Sequence, residues 1–173
     1  MTYSCLVHLS IINLSNEREV MIMNYEIVNL DERKLVGVTD RTKNSDPNMT
    51  MKIGGLWNKL YNEGVYNKIK NKVDAKAIGM YSDYESDCNS EYSITVGCIV
   101  ESLEDIPKNT VVKVIPKGKY AKFIVKGHMQ KAVADFWQKL WNMDLDRSYK
   151  CDYEEYQNAD VENAEIHIYI SLN

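Results

Sequence analysis

Apolar residues fall on every second position of Glu165-Ile166-His167-Ile168-Tyr169-Ile170-Ser171-Leu172, and again at Ile94, Val96, Cys98 and Val100 within Tyr92–Val100. Alternation of this kind predicts strands with one buried face. The spacing becomes helical from about Met49 to Tyr61, is interrupted at Gly64, resumes over Tyr66–Lys72, and is helical again over His128–Met143. Shorter runs predict a first strand at 25–29 continuing through Leu35-Val36-Gly37-Val38, and further strands at Ala77–Tyr81, Val111–Ile115, Tyr120–Val125 and Asp152–Tyr156. Asp46-Pro47, the polar stretch Asp83–Ser90, Ile106–Asn109 and Pro116-Lys117-Gly118 read as loops and turns.

The same programme runs twice. Leu56-Trp57-Asn58-Lys59-Leu60-Tyr61 aligns with Phe136-Trp137-Gln138-Lys139-Leu140-Trp141, Asp83-Tyr84-Glu85 aligns with Asp152-Tyr153-Glu154, and Ile94–Val100 falls in register with Ile166–Leu172. Three matches in one order predict a tandem duplication of a strand-helix-strand-strand unit, with pseudo-repeats at about 23–103 and 104–173. One helix cannot cover three or four strands. Two units together predict an α+β fold with a mainly antiparallel sheet and two helices on one side flanking a central ligand cleft. Residues 1–22 fall outside both repeats and read as an extension that the fold does not need. Their apolar run Leu6–Ile12 is too short for a membrane span and has no basic lead for a signal peptide.

At 173 residues and 45% hydrophobic the chain can bury a core without a staple. The net charge of −4 holds no basic block beyond Lys117, Lys119, Lys122 and Lys126, which argues against direct nucleic-acid binding. Cys5, Cys88, Cys98 and Cys151 form no CxxC pair, and His8, His128 and His167 are scattered, so neither a metal nor a cofactor is expected. Isolated thiols without a secretion signal point to the cytoplasm. No Ser-His-Asp, Cys-His or phosphate-loop pattern assigns a catalytic residue. Twelve tyrosines and three tryptophans against two phenylalanines suit the partly wet wall of a cleft.

Within Cys151-Asp152-Tyr153-Glu154-Glu155-Tyr156, strand alternation puts Glu154 and Tyr156 on one face and Tyr153 and Glu155 on the other. An inward Glu154 among aromatic rings would bind a flat cation by charge pairing and ring-face attraction. The alternative is an exposed edge strand carrying ordinary surface acids, with Glu154 paired to a lysine such as Lys150.

Ile115–Ala121, Phe136–Trp141, Tyr153–Tyr156 and Ile168–Leu172 resemble the C-terminal half of the GyrI-like, or effector-binding, domain, and Gly79–Asp83 and Tyr92–Gly97 resemble its first half. The family includes drug-sensing domains of transcription activators, stand-alone small-molecule-binding proteins and a gyrase inhibitor. The resemblance covers about residues 23–173. It implies a pocket between two helices over a curved antiparallel sheet, in which a buried glutamate, here Glu154, recognises lipophilic cations. It places the last-strand tyrosine at Tyr169, a tryptophan after the second helix at Trp141 and the first-helix aromatic at Trp57. Tyr61 and Tyr120 are expected within reach of the cleft, and His167 shares the face of Tyr169. Ser171 departs from the family's usual proline, and 22 residues cannot hold the helix-turn-helix that accompanies the domain in activators. Three functions follow as expectations: a cytoplasmic binder of aromatic or cationic compounds acting by sequestration or sensing, a hydrolase of strained electrophiles with Glu154 as general base, or a protein-interaction module such as a topoisomerase inhibitor whose partner is unknown.

Overall fold

A computed structural model describes residues 23–173, so the expectation for residues 1–22 lies outside the described residues. The elements follow in the order β1 (Glu26–Leu30), β2 (Arg33–Thr42), α1 (Met49–Tyr61), α2 (Val65–Lys68), β3 (Ala77–Ser82), β4 (Tyr92–Val100), β5 (Val111–Ile115), β6 (Gly118–Gly127), α3 (Met129–Leu140), β7 (Cys151–Tyr156) and β8 (Ala164–Ser171). The strands form one antiparallel sheet in the order β1-β6-β8-β7-β3-β4-β2-β5. β7 and β3 lie at its centre, with β8, β6 and β1 outward on one side and β4, β2 and β5 on the other, so each outermost strand comes from the opposite half of the chain. The arrangement of strands is twofold, with α1 packed on β2 and β4 and α3 on β6 and β8.

The two long helices repeat each other position by position. Leu56 and Leu60 of α1 and Phe136 and Leu140 of α3 are buried, while Trp57 and Trp137 are half-buried. Burying each of these large apolar side chains stabilises by about 1.5–3 kcal/mol. That packing is needed in α1, which contains Gly54 and Gly55, has no acidic residue in its first turn and no side-chain cap.

Two expectations are corrected. The chain does not run as one strand from 25 to 38 but is divided at Asp31-Glu32 into two strands that run in the same sense. β1 pairs with β6 at one edge of the sheet, whereas β2 pairs with β4 and β5 near the other. Apolar residues flank the break on both sides and mask it in the pattern. The match of Asp83-Tyr84-Glu85 to Asp152-Tyr153-Glu154 also fails, because residues 83–85 follow β3 in a loop whereas 152–154 lie within β7.

The helix-bearing face buries Val36, Val96 and Cys98 under α1 and Phe123, Ile166 and Ile168 under α3. The opposite face curls on itself: one cluster takes residues from all eight strands, from Val28 and Leu30 of β1 through Tyr153 of β7 and Tyr169 of β8 to Ile115 of β5. The curl brings β2 and β4 together at the facing pair Gly37 and Gly97. A Cβ on Gly97 would lie 2.1 Å from the Val36 carbonyl oxygen, and one on Gly37 2.2 Å from that of Val96. Gly97→Ala should therefore cost about 1–3 kcal/mol, the usual penalty for overpacking, visible as a lower urea midpoint at unchanged slope. A midpoint equal to that of wild type would show that the sheet relaxes freely there.

Candidate functional site

Between α1 and α3, above the centre of the sheet, lies a cavity of about 520 Å³. α1 contributes Met49, Ile53 and Trp57 to its wall, α3 contributes Val133 and Trp137, and Tyr81, Tyr92, Glu154 and Tyr156 come up from the strands. Glu154 is 2% exposed and stands on a central strand, not an edge. Its neighbour across the β3–β7 pair is Gly79, where a Cβ would come within 3.3 Å of Glu154 Oε2 and 3.4 Å of the Trp57 ring. The missing side chain leaves room for both.

Three neutral donors hold the carboxylate. Tyr81 Oη donates to Oε1 at 2.8 Å, Trp137 Nε1 donates to the same oxygen at 2.7 Å, and Tyr156 Oη donates to Oε2 at 2.7 Å. Aromatic edges lock the donors: Trp137 meets Tyr81 at 4.9 Å and 66°, and Trp57 meets Tyr156 at 5.0 Å and 75°. No basic side chain bonds Glu154 among the described residues. Burial raises its pKa, and the three hydrogen bonds oppose the rise without cancelling it. Burial, and after it the neighbouring carboxylate, hold the Tyr81 and Tyr156 phenols well above their ordinary value, so both remain protonated donors.

A raised carboxyl pKa has a definite sign for stability. The folded state holds the Glu154 proton more tightly than the unfolded chain, so this contribution is fully present below the ordinary carboxylate pKa and is lost as pH rises through the raised one. Glu154→Gln removes the loss: its amide oxygen can accept from Tyr81 and Trp137 while its NH2 donates to the Tyr156 hydroxyl. Melting curves of the two proteins from pH 4 to 8 should diverge in favour of the variant as pH rises. A gap that narrows with rising pH would contradict the buried, unpaired carboxylate.

The sequence-derived residues divide between the two faces of the sheet. Glu154 and Trp57 line the cavity, and Trp141, 48% exposed at the C-terminal end of α3, stands at its rim. Tyr61 lies flat against Trp57 at 6.1 Å but is 48% exposed and outside the cavity wall. Tyr169 and Tyr120 are on the opposite face, within the cluster inside the curl. Tyr169 stacks on Tyr153 at 4.5 Å, and Tyr120 donates to the Pro116 carbonyl. Tyr169 faces away from Glu154 because it is the cross-strand partner of Tyr153, whereas Glu154 pairs with Ile168. His167 shares that far side and bonds Glu165. Glu155, expected as a surface acid, is 6% exposed and bridged by Arg33 and Lys76 at 3.4 Å each.

Sequence reasoning missed Trp137, Tyr81 and Arg147. The signal for Trp137 was present, since the alignment of the two helices sets it at the position of Trp57.

The chain is similar to proteins already known. YobU of Bacillus subtilis (strain 168), a candidate transcriptional regulator, is 28% identical over 153 residues, which is 84% of this chain and 96% of YobU. The integron cassette protein VCH_CASS2, from the mobile metagenome of Vibrio cholerae, superposes with a TM-score of 0.71 at 28% identity, over 86% of this chain and 95% of that one. SAV2435, solved bound to tetraphenylphosphonium, superposes with a TM-score of 0.73 at 20% identity, over 87% and 94% of the two chains. With its sheet, paired helices and intervening cavity all contained in residues 26–172, which match the Cass2 family over their full extent, the chain belongs to the integron-associated effector-binding proteins.

Proposed function

We propose that this protein binds lipophilic aromatic cations between α1 and α3, with ionised Glu154 as the charge partner, and acts by sequestering or sensing them. The observation that carries the reading is the carboxylate itself: buried, oriented by three neutral donors, and lacking a countercharge among the described residues. An arriving cation supplies that countercharge, and the rings of Trp57, Trp137, Tyr81 and Tyr156 offer π faces and edges to its aryl groups. A volume of about 520 Å³ falls in the range of drug-sized ligands. The tetraphenylphosphonium held by SAV2435 is a ligand of this chemistry on the same fold. A hydrolytic reading asks Glu154 to draw a proton from water, a task poorly served by a carboxylate already accepting three hydrogen bonds.

Titration with tetraphenylphosphonium, followed by tryptophan fluorescence and calorimetry, tests the proposal. One saturable equivalent should bind, and it should bind at least about tenfold more tightly than neutral triphenylmethanol, since only the cation offsets the buried charge. Equal affinity for the two compounds, or no binding of the cation, would overturn the proposal. Because Glu154 must be ionised to pair, affinity should also fall as pH drops through its raised pKa.

A further inference from the structure

At the other end of the same cavity stands a group that the Glu154 reading does not use. Arg147 lines the wall together with Tyr84 and Asn44, and its side chain is only 6% exposed. Among the described residues its guanidinium makes a single hydrogen bond, from Nη2 to Asp152 Oδ2 at 2.7 Å, and its Nε is buried with no partner. A guanidinium carries five N–H donors, and a buried donor left unpaired is costly.

The surrounding structure holds Arg147 in this state. Asp152 also accepts from Tyr84 Oη at 3.1 Å and from Ser171 through both its backbone N–H at 2.8 Å and its Oγ at 3.1 Å. Proline at position 171, the residue of the resembled pattern, has no N–H to give. Tyr149 takes up a left-handed backbone at φ 51°, an uncommon conformation for a bulky residue, and thereby brings its ring to 4.4 Å from the Arg147 guanidinium and edge-on to Tyr84. Asp152 and Glu154 are two residues apart on one face of β7, which is about 7 Å along a strand.

We infer that the cavity recognises both ends of its ligand: an aromatic cation against Glu154 and, on the side of Asp152, an acceptor oxygen, above all a carboxylate, received by the free donors of Arg147. The inference rests on the cation reading of Glu154 and adds to it a second polar requirement. Asp152 already balances the arginine's charge, so Arg147 selects by donor geometry, and the ligand class is the amphoteric aromatic compound.

Two probes differing in one group separate the two readings. Butyltriphenylphosphonium carries only the cation, and (4-carboxybutyl)triphenylphosphonium adds a carboxylate on a flexible chain of the same length. Wild-type protein should bind the carboxylated probe about tenfold more tightly, the gain typical of one charge-assisted hydrogen bond. Arg147→Met combined with Asp152→Asn removes the donor without stranding the acid, and should bring the ratio of affinities close to one. Arg147→Lys, which keeps the charge and loses the fork, should give an intermediate ratio. A wild-type ratio of one or less, or a ratio retained in either variant, would overturn the inference while leaving the cation reading intact. Failure of wild-type protein to bind either probe would overturn both.

Discussion

Glu154→Gln is expected to weaken tetraphenylphosphonium binding about a hundredfold, a loss of roughly 2.7 kcal/mol. The substitution keeps the volume, and its amide can satisfy the same three partners, so the pocket retains its shape while losing the charge. What disappears is a desolvated ion pair, and breaking one typically costs a few kcal/mol. Neutral triphenylmethanol draws nothing from that charge and should bind the variant within a factor of about two of wild type. The matched control is Glu155→Gln. That side chain is also buried, but it lies on the far face of the sheet and is paired with Arg33 and Lys76. It should lower the melting temperature while leaving tetraphenylphosphonium affinity nearly unchanged. Calorimetry on both variants decides: a larger affinity loss at Glu155, or equal loss of the two compounds at Glu154, would show that charge at this position does not select the ligand.

The contrast between these two glutamates marks how far the sequence was legible. Alternation along 151–156 correctly separates Glu154 from Glu155, because neighbouring side chains on a strand must point to opposite faces. It says nothing about what covers each face. The curl that buries the second face arises from contacts among all eight strands and from the approach of Gly37 to Gly97, neither of which leaves a local pattern. Alternation therefore set Tyr153 opposite Glu154, and Tyr120 and Tyr169 were expected at the cleft, whereas all three belong to a second core. The helices show the same boundary. Trp137 and Trp141 are one turn apart, and spacing puts both on the same side of α3. Where the helix ends decides the difference: Trp137 lies within α3 and reaches Glu154, while Trp141 is its C-cap and stands at the rim. Arg147 had no signal at all, since its position depends on a loop that passes through a left-handed tyrosine.

The largest stability effect is expected where that loop meets the floor of the site. Asp152 has no solvent exposure and accepts four hydrogen bonds, from Arg147, Tyr84 and twice from Ser171. Asp152→Ala leaves the Arg147 guanidinium buried without its counterion and the Ser171 N–H without an acceptor. Removing one partner of a buried ion pair costs about 3–5 kcal/mol, far more than the net worth of the pair, because the survivor remains desolvated. For a domain of this size that corresponds to a melting temperature lower by roughly 6–20 °C. Taking both charges away together should recover most of the loss: Arg147→Met with Asp152→Asn leaves an amide that still accepts from Ser171 and no stranded cation. Thermal melts of the single and double variants, run with and without tetraphenylphosphonium, separate the fold from the ligand. A double variant no more stable than Asp152→Ala would mean that the ion pair itself, and not the penalty of an orphaned arginine, holds β7 to the chain that precedes it.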